Sequence, residues 1–166
     1  ARMPPMEPNP VLDAIDRRIL QALQLQGRAT YDEIAAQVGL SASATLRRVK
    51  RLEERGAIRG WRADLDPGSV GCPLLGFVLV ATQPGKDDAS LRRALRKLDE
   101  VLELHAVSGP WTLLVKLRVS GLAAFEALVD EVIRGHAAVQ RVETVLALST
   151  AKETAILPVA PATEEE

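Results

Sequence analysis

The sequence predicts an α+β chain in two parts, a small helical domain followed by a four-stranded sheet with two helices. Three observations predict it. Residues 12–56 place apolar side chains at helical spacing, and glycines interrupt the pattern. Residues 74–150 give apolar, strand-like runs and helical runs in the order strand, helix, strand, strand, helix, strand. Between them, Asp66-Pro67-Gly68 and Gly71-Cys72-Pro73 supply turn and breaker chemistry, as at a junction. A length of 166 residues holds one ordinary domain or two small ones, and 47% apolar residues suffice for a real core.

Taken in order, residues 1–10 (ARMPPMEPNP) are proline-rich and aperiodic and read as a disordered arm. A helix starts at Leu12, with Leu12, Ile15, Ile19, Ala22 and Leu23 on one face, Asp13 as N-cap and Gly27 as its end. The next stretch, TYDEIAAQVGLSASATLRRVKRLEERG over 30–56, holds two shorter helices. Thr30 and Glu33 form a capping box, Ile34 and Val38 recur at helical spacing, and Gly39 stops the pattern. Ser41 caps the second, which runs to Arg55 before Gly56. Two helices joined by a short glycine-containing turn form a helix-turn-helix, and the preceding helix supplies a base that so small a pair needs. Residues 57–65 follow as an extended piece, the position of a wing.

At about 100° per residue the second of these helices resolves into faces. Ala42, Leu46, Val49 and Leu52 share the arc expected to pack on the domain. The opposite arc carries Ser43, Ala44, Arg47 and Arg51, flanked by Arg48, Lys50 and Arg55. Small and hydroxyl side chains near a helix start approach base edges closely, and arginines pair with guanine edges or phosphates. A solvated basic face is the plain alternative; the caps and turn upstream favour DNA. Candidate DNA-binding residues are therefore Thr30, Ser41, Ser43, Ala44, Thr45, Arg47, Arg48, Lys50 and Arg51. Thr45, at the edge of the packed arc, ranks below Ser43 and Arg47. Charge agrees once divided. The whole chain is −1, but residues 1–60 hold 10 Lys and Arg against 7 Asp and Glu, and the remainder 11 against 15, so one half suits nucleic acid.

In the second part, 74–81 (LLGFVLVA) is a strand, and Leu91, Leu95 and Leu98 mark a helix. Residues 101–107 form a second strand, which Ser108-Gly109-Pro110 turns into a third at 111–119, where Lys116 and Arg118 alternate with apolar residues and imply one solvated face. A second helix over 122–133 turns Phe125, Leu128, Val129 and Val132 inward, and 139–150 is a fourth strand. The order βαββαβ is ferredoxin-like. The expected domains are thus 1–10, an arm; 11–60, a (winged) helix-turn-helix; 61–73, a linker; 74–153, the ferredoxin-like unit; and 154–166, an acidic tail.

The segments LDAIDRRIL and LQLQGRATYDEIAAQVGLSASATLRRVKRLEERGAIRGWRADLDP resemble the N-terminal half of the Lrp/AsnC (feast/famine, leucine-responsive regulatory protein) transcription regulators. The βαββαβ unit is similar to their second domain. The resemblance covers about residues 11–153 and is most specific from Gly39-Leu40-Ser41 through Arg47-Arg48-Val49 to Leu52-Glu53. It implies a sequence-specific regulator on double-stranded DNA, dimeric through sheet pairing and packing of the second domains and often assembled further, for example to an octamer. A symmetric dimer implies roughly palindromic operators. Four strands whose apolar content exceeds what two helices can cover also leave a surface that wants a partner.

The resemblance further implies a small effector, such as an amino acid, bound between subunits near the loop after the second strand. The family's Gly-X-Tyr-Asp stands here as Gly109-Pro110-Trp111-Thr112. The ring is kept, a neutral hydroxyl replaces the acid, and Pro110 removes a backbone N–H. Candidate effector-binding residues are Ser108, Gly109, Trp111, Thr112 and Thr144. Thr144 reads equally as a buried sheet residue, since it shares the parity of Val142, Leu146 and Leu148.

Other functions find little support. A single cysteine, Cys72, rules out an internal disulfide or a cysteine-built metal site. His105 and His136 are isolated, and neither a nucleophile elbow nor a phosphate loop after a strand occurs, so no enzyme, metal or cofactor is expected. With no bilayer-length apolar run and no signal-peptide pattern, a cytoplasmic protein without membrane contact is expected. Two alternatives stay open. One is a low-specificity architectural DNA-binding protein without an effector. The weaker is a small-molecule-binding ferredoxin-like domain whose helices dock partners.

Overall fold

A computed structural model describes residues 12–159, so the expected arm at 1–10 and the tail beyond residue 159 lie outside the described residues. The chain divides into two compact units, Ala1–Ala63 with Glu153–Glu166, and Asp64–Lys152. No helix among the described residues is long and apolar enough to cross a membrane.

The first unit contains α1 (Ala14–Leu25), α2 (Tyr31–Val38) and α3 (Ala42–Glu54). Each begins where a side chain satisfies a free backbone N–H. Asp13 accepts from the Asp16 N–H at 2.7 Å and Ser41 from that of Ala44 at 3.2 Å. Thr30 and Glu33 close the capping box in both directions. Gly39, at φ 74°, ends α2 in the left-handed conformation that a side chain disfavours. Ile19, Leu23, Ile34, Val38, Val49 and Leu52 bury one apolar stripe from each helix. The wing is not formed as β structure: residues 57–66 carry no strand. The chain there is instead held against α3, Ile58 N–H donating to the Leu52 carbonyl at 3.1 Å and Trp61 Nε1 to Glu53 Oε1 at 2.9 Å. The expected tail also begins with a fixed point, since Leu157 exchanges two hydrogen bonds with the Gln24 amide, at 2.7 and 3.1 Å.

The second unit runs β1 (Leu74–Thr82), α4 (Ala89–Leu95), β2 (Val101–Ala106), β3 (Leu113–Val119), α5 (Leu122–Leu128) and β4 (Val139–Leu146). A wider π-type helix continues α5 over Val129–Arg134. The sheet order is β2-β3-β1-β4 with every neighbouring pair antiparallel, as the βαββαβ order requires. Val78, Val80, Leu113, Val115, Leu117 and Val119 point to one face and pack on Leu91, Leu95, Phe125, Val129 and Ile133 of the helices. The other face carries Phe77, Leu79, Leu114, Lys116 and Arg118, all half-buried, and neither helix of the unit covers it. Two strand ends differ from expectation. β4 stops at Leu146, opposite Gly76, because β1 has almost no residues left to pair, and Leu148 stands 97% exposed. β3 starts at Leu113, not at Trp111, which belongs to the preceding loop.

Candidate nucleic-acid interface and effector loop

Because α3 must bury its apolar stripe, its packing decides which polar side chains remain for a ligand. The buried residues are Thr45, Val49 and Leu52, with Ala42 and Leu46 only partly covered. The packed arc is therefore turned from the expected one by roughly 40° at about 100° per residue. Thr45 sits at its centre, fully buried, and its hydroxyl makes no hydrogen bond among the described residues. Thr45 is a core residue, and its place among the base readers is corrected on that ground.

The same rotation redirects two arginines. Arg48 reaches α1, at 2.5 Å from Asp13 and 2.7 Å from Asp16. Arg51 meets both carboxylate oxygens of Asp16 at 3.1 and 3.2 Å. Asp16 is itself only 2% exposed. Burial opposes ionisation of Asp13, but the hydrogen bonds from Arg48 and the Asp16 N–H hold its carboxyl below the ordinary range. The Arg48 guanidinium, hydrogen-bonded to Asp13 and Asp16, is held above its ordinary value. These arginines hold α3 on α1, and each keeps part of its side chain at the surface. Sequence reasoning missed Asp13 and Asp16 as their partners; the two acids three apart on one helix were the signal.

Ser43, Arg47 and Lys50 remain, all exposed on one face, and neither cation has an ion-pair partner among the described residues. Ala44, half-buried, flanks them. Ser41 and Thr30 lie exposed at the starts of α3 and α2, their hydroxyls engaged as caps. At 3.2 Å the Ser41 and Ser43 hydroxyls also hydrogen-bond each other. The result is a helix N-terminus with small side chains and two free cations, suited to phosphate and base edges.

The loop between β2 and β3 is closed by the Val107 N–H donating to the Thr112 carbonyl at 3.2 Å, with Gly109 at φ 98° making the turn. Ser108, Gly109 and Pro110 are exposed; Trp111 and Thr112 are half-buried. The Thr112 hydroxyl accepts from the Thr82 N–H at 3.1 Å and bonds the Thr82 hydroxyl at 3.0 Å, tying the loop to the end of β1. The Trp111 ring lies under the Arg141 guanidinium, 4.2 Å from centroid to carbon. Thr144 is not brought to this loop and is not buried. It pairs with Val78 on the helix-side face of an edge strand, exposed, whereas Arg141 pairs with Ala81 on the other face. Arg141 was missed because, on an alternating strand, an outward arginine looks like any solvated residue. The histidines have local partners, His136 with Ser90 at 2.9 Å and His105 with Glu103 at 3.0 Å.

Comparison with known proteins matches both units. The AsnC-type helix-turn-helix family model matches residues 12–53, and the Lrp/AsnC ligand binding domain matches residues 75–157. The chain is 36% identical over 151 residues to a leucine-responsive regulatory protein of Haemophilus influenzae, covering 90% of this chain and 91% of that protein. A transcriptional regulator of Neisseria meningitidis, solved as its L-Met complex, superposes with a TM-score of 0.84 at 36% identity over 89% of this chain and 97% of that one. The feast or famine regulatory protein of M. tuberculosis complexed with L-methionine gives 0.82 at 33% identity over 90% and 100%.

Proposed function

The chain belongs to the Lrp/AsnC family of helix-turn-helix transcription regulators, and on that premise we propose that it reads operator DNA with Ser43, Ala44 and Arg47 at the start of α3 while Lys50 holds phosphate. The observation that carries this reading is the division of the basic run. Arg48 and Arg51 are tied to Asp13 and Asp16, which leaves Arg47 and Lys50 free on the exposed face. Near the start of the helix only Arg47 and Lys50 offer free cations beside Ser43 and Ala44, so in this proposal base readout carries the specificity.

In this proposal two copies associate through the sheet face that the helices leave open, presenting two α3 helices to a roughly palindromic site. Two similar proteins were solved as methionine complexes, and in this proposal a small effector binds this chain too, at the loop between β2 and β3. The test is selection of fragments from sheared genomic DNA by the purified protein in excess competitor, followed by sequencing. A narrow pseudo-palindromic consensus is expected. Arg47→Ala should weaken binding to it by about 1–3 kcal/mol, whereas Lys50→Ala should flatten the salt dependence by about one unit and keep the consensus. Broad enrichment without a motif would instead mean an architectural binder.

A further inference from the structure

Past the end of α3 the chain reads RGAIRGWR over residues 55–62, with three arginines and no acid. Every residue of this stretch is exposed except Ile58, which packs on the core of the first unit. Arg55, Arg59 and Arg62 have no ion-pair partner among the described residues. Glu54 and Asp64 bound the stretch, and Glu53, just before it, is engaged by Trp61. The fold thus offers these guanidinium groups no carboxylate, whereas Arg48 and Arg51 on α3 meet Asp13 and Asp16.

The segment is nonetheless fixed in place. Gly56, at φ 72°, turns the chain off the helix, and the Ile58 N–H donates to the Leu52 carbonyl at 3.1 Å. Trp61, 51% exposed, is held by its indole N–H, 2.9 Å from a carboxylate oxygen of Glu53. That bond is charge-assisted and directional. Glu53 stands one turn beyond Lys50 on the same side of α3, so the segment is tied to the flank that carries Lys50.

A helix of 13 residues is about 20 Å long, against a major groove about 12 Å wide. With Ser43 and Arg47 at base edges, the last turn of α3 and the segment behind it therefore meet the rim of the groove, where the phosphates stand. Guanidinium forks take phosphate oxygens in pairs. Arg55 sits at the helix end, where its charge already suits the free carbonyls. Arg59 and Arg62 have no such role.

Resting on the reading of α3 above, we propose that residues 57–62 clamp the DNA backbone flanking each half-site. Arg59 and Arg62 are the phosphate contacts, and Trp61, held by Glu53, is their positioning residue. The clamp adds affinity and orientation without reading bases.

Salt titrations of the full chain on its selected operator test this. The double variant Arg59→Ala, Arg62→Ala should bind about tenfold more weakly at about 0.15 M salt, with the dependence on log salt shallower by about two units per protomer. Trp61→Phe keeps an aromatic ring but loses the donor, and should show part of both changes at an unchanged melting temperature. Consensus and sedimentation should match those of the parent. An unchanged slope in the double variant, while Lys50→Ala still flattens it, would overturn the clamp and leave the reading of α3 standing. A parental slope in Trp61→Phe would overturn its positioning role. An altered consensus, or a shift towards the monomer, would also overturn the clamp, making these residues base readers or contacts between copies. No effect of Arg47→Ala, Lys50→Ala or the double variant on operator binding would overturn both readings.

Discussion

Within the run Arg47-Arg48-Val49-Lys50-Arg51, a difference of about 100° per residue separates opposite roles. Arg47 and Lys50 face outward, Val49 is core, and Arg48 and Arg51 turn to a buried carboxylate. Asp16 balances two guanidinium groups, so Asp16→Asn should lower stability by about 1–3 kcal/mol. The loss stays moderate because both arginines partly reach solvent and Asp13 still meets Arg48. The released arginines should also steepen the salt dependence of DNA binding by about one to two units. Chemical denaturation and a salt titration check the two effects separately; unchanged stability would show that the pairing contributes nothing. Thr45 supplies the converse test. Its buried hydroxyl lacks a partner among the described residues, so Thr45→Val should raise the unfolding free energy by about 1 kcal/mol and leave operator affinity unchanged. Loss of specific binding would return Thr45 to the reading face.

At the scale of elements, caps and periodicity were legible because they are local. Thr30 with Glu33, Ser41, Asp13 and Gly39 mark helix ends by bonds within a few residues, and the structure places each at the cap expected of it. Gly76 is different. A glycine inside a strand weakens it, and nothing in LLGFVLVA says why one stands there. The reason lies about fifty residues away in sequence. The Phe125 ring packs so closely that a Cβ on Gly76 would sit 2.2 Å from Phe125 Cε2, and the ring is itself buried. Gly76→Ala should therefore cost about 1–3 kcal/mol by overpacking, with partial recovery when combined with Phe125→Leu. Additive losses in thermal denaturation of the single and double variants would argue against this contact as the cause.

For the whole molecule, the sheet has one face under α4 and α5 and one bearing Phe77, Leu79 and Leu114 without a helix above it. The proposed assembly uses that open face. Leu79→Glu should then leave helical content intact and shift the protein towards the monomer in sedimentation. Operator affinity should fall with it, because two half-sites no longer engage together. A variant that sediments as the parent does would place the interface elsewhere.

What the sequence determined by itself is what depends on near neighbours and on strict periods. This covers three capped helices, the helix-turn-helix, the βαββαβ order, and through the motifs the family. Tertiary structure decided what depends on how elements rotate and meet. A helix face read from apolar positions alone is free to turn by tens of degrees, because buried polar groups count towards packing once they find partners on another helix. So Asp16 drew Arg48 and Arg51 inward and left Arg47 and Lys50 outside. In the same way, only the pairing of β4 with β1 could bring Arg141 beside the β2–β3 loop and onto Trp111, thirty residues earlier in the chain.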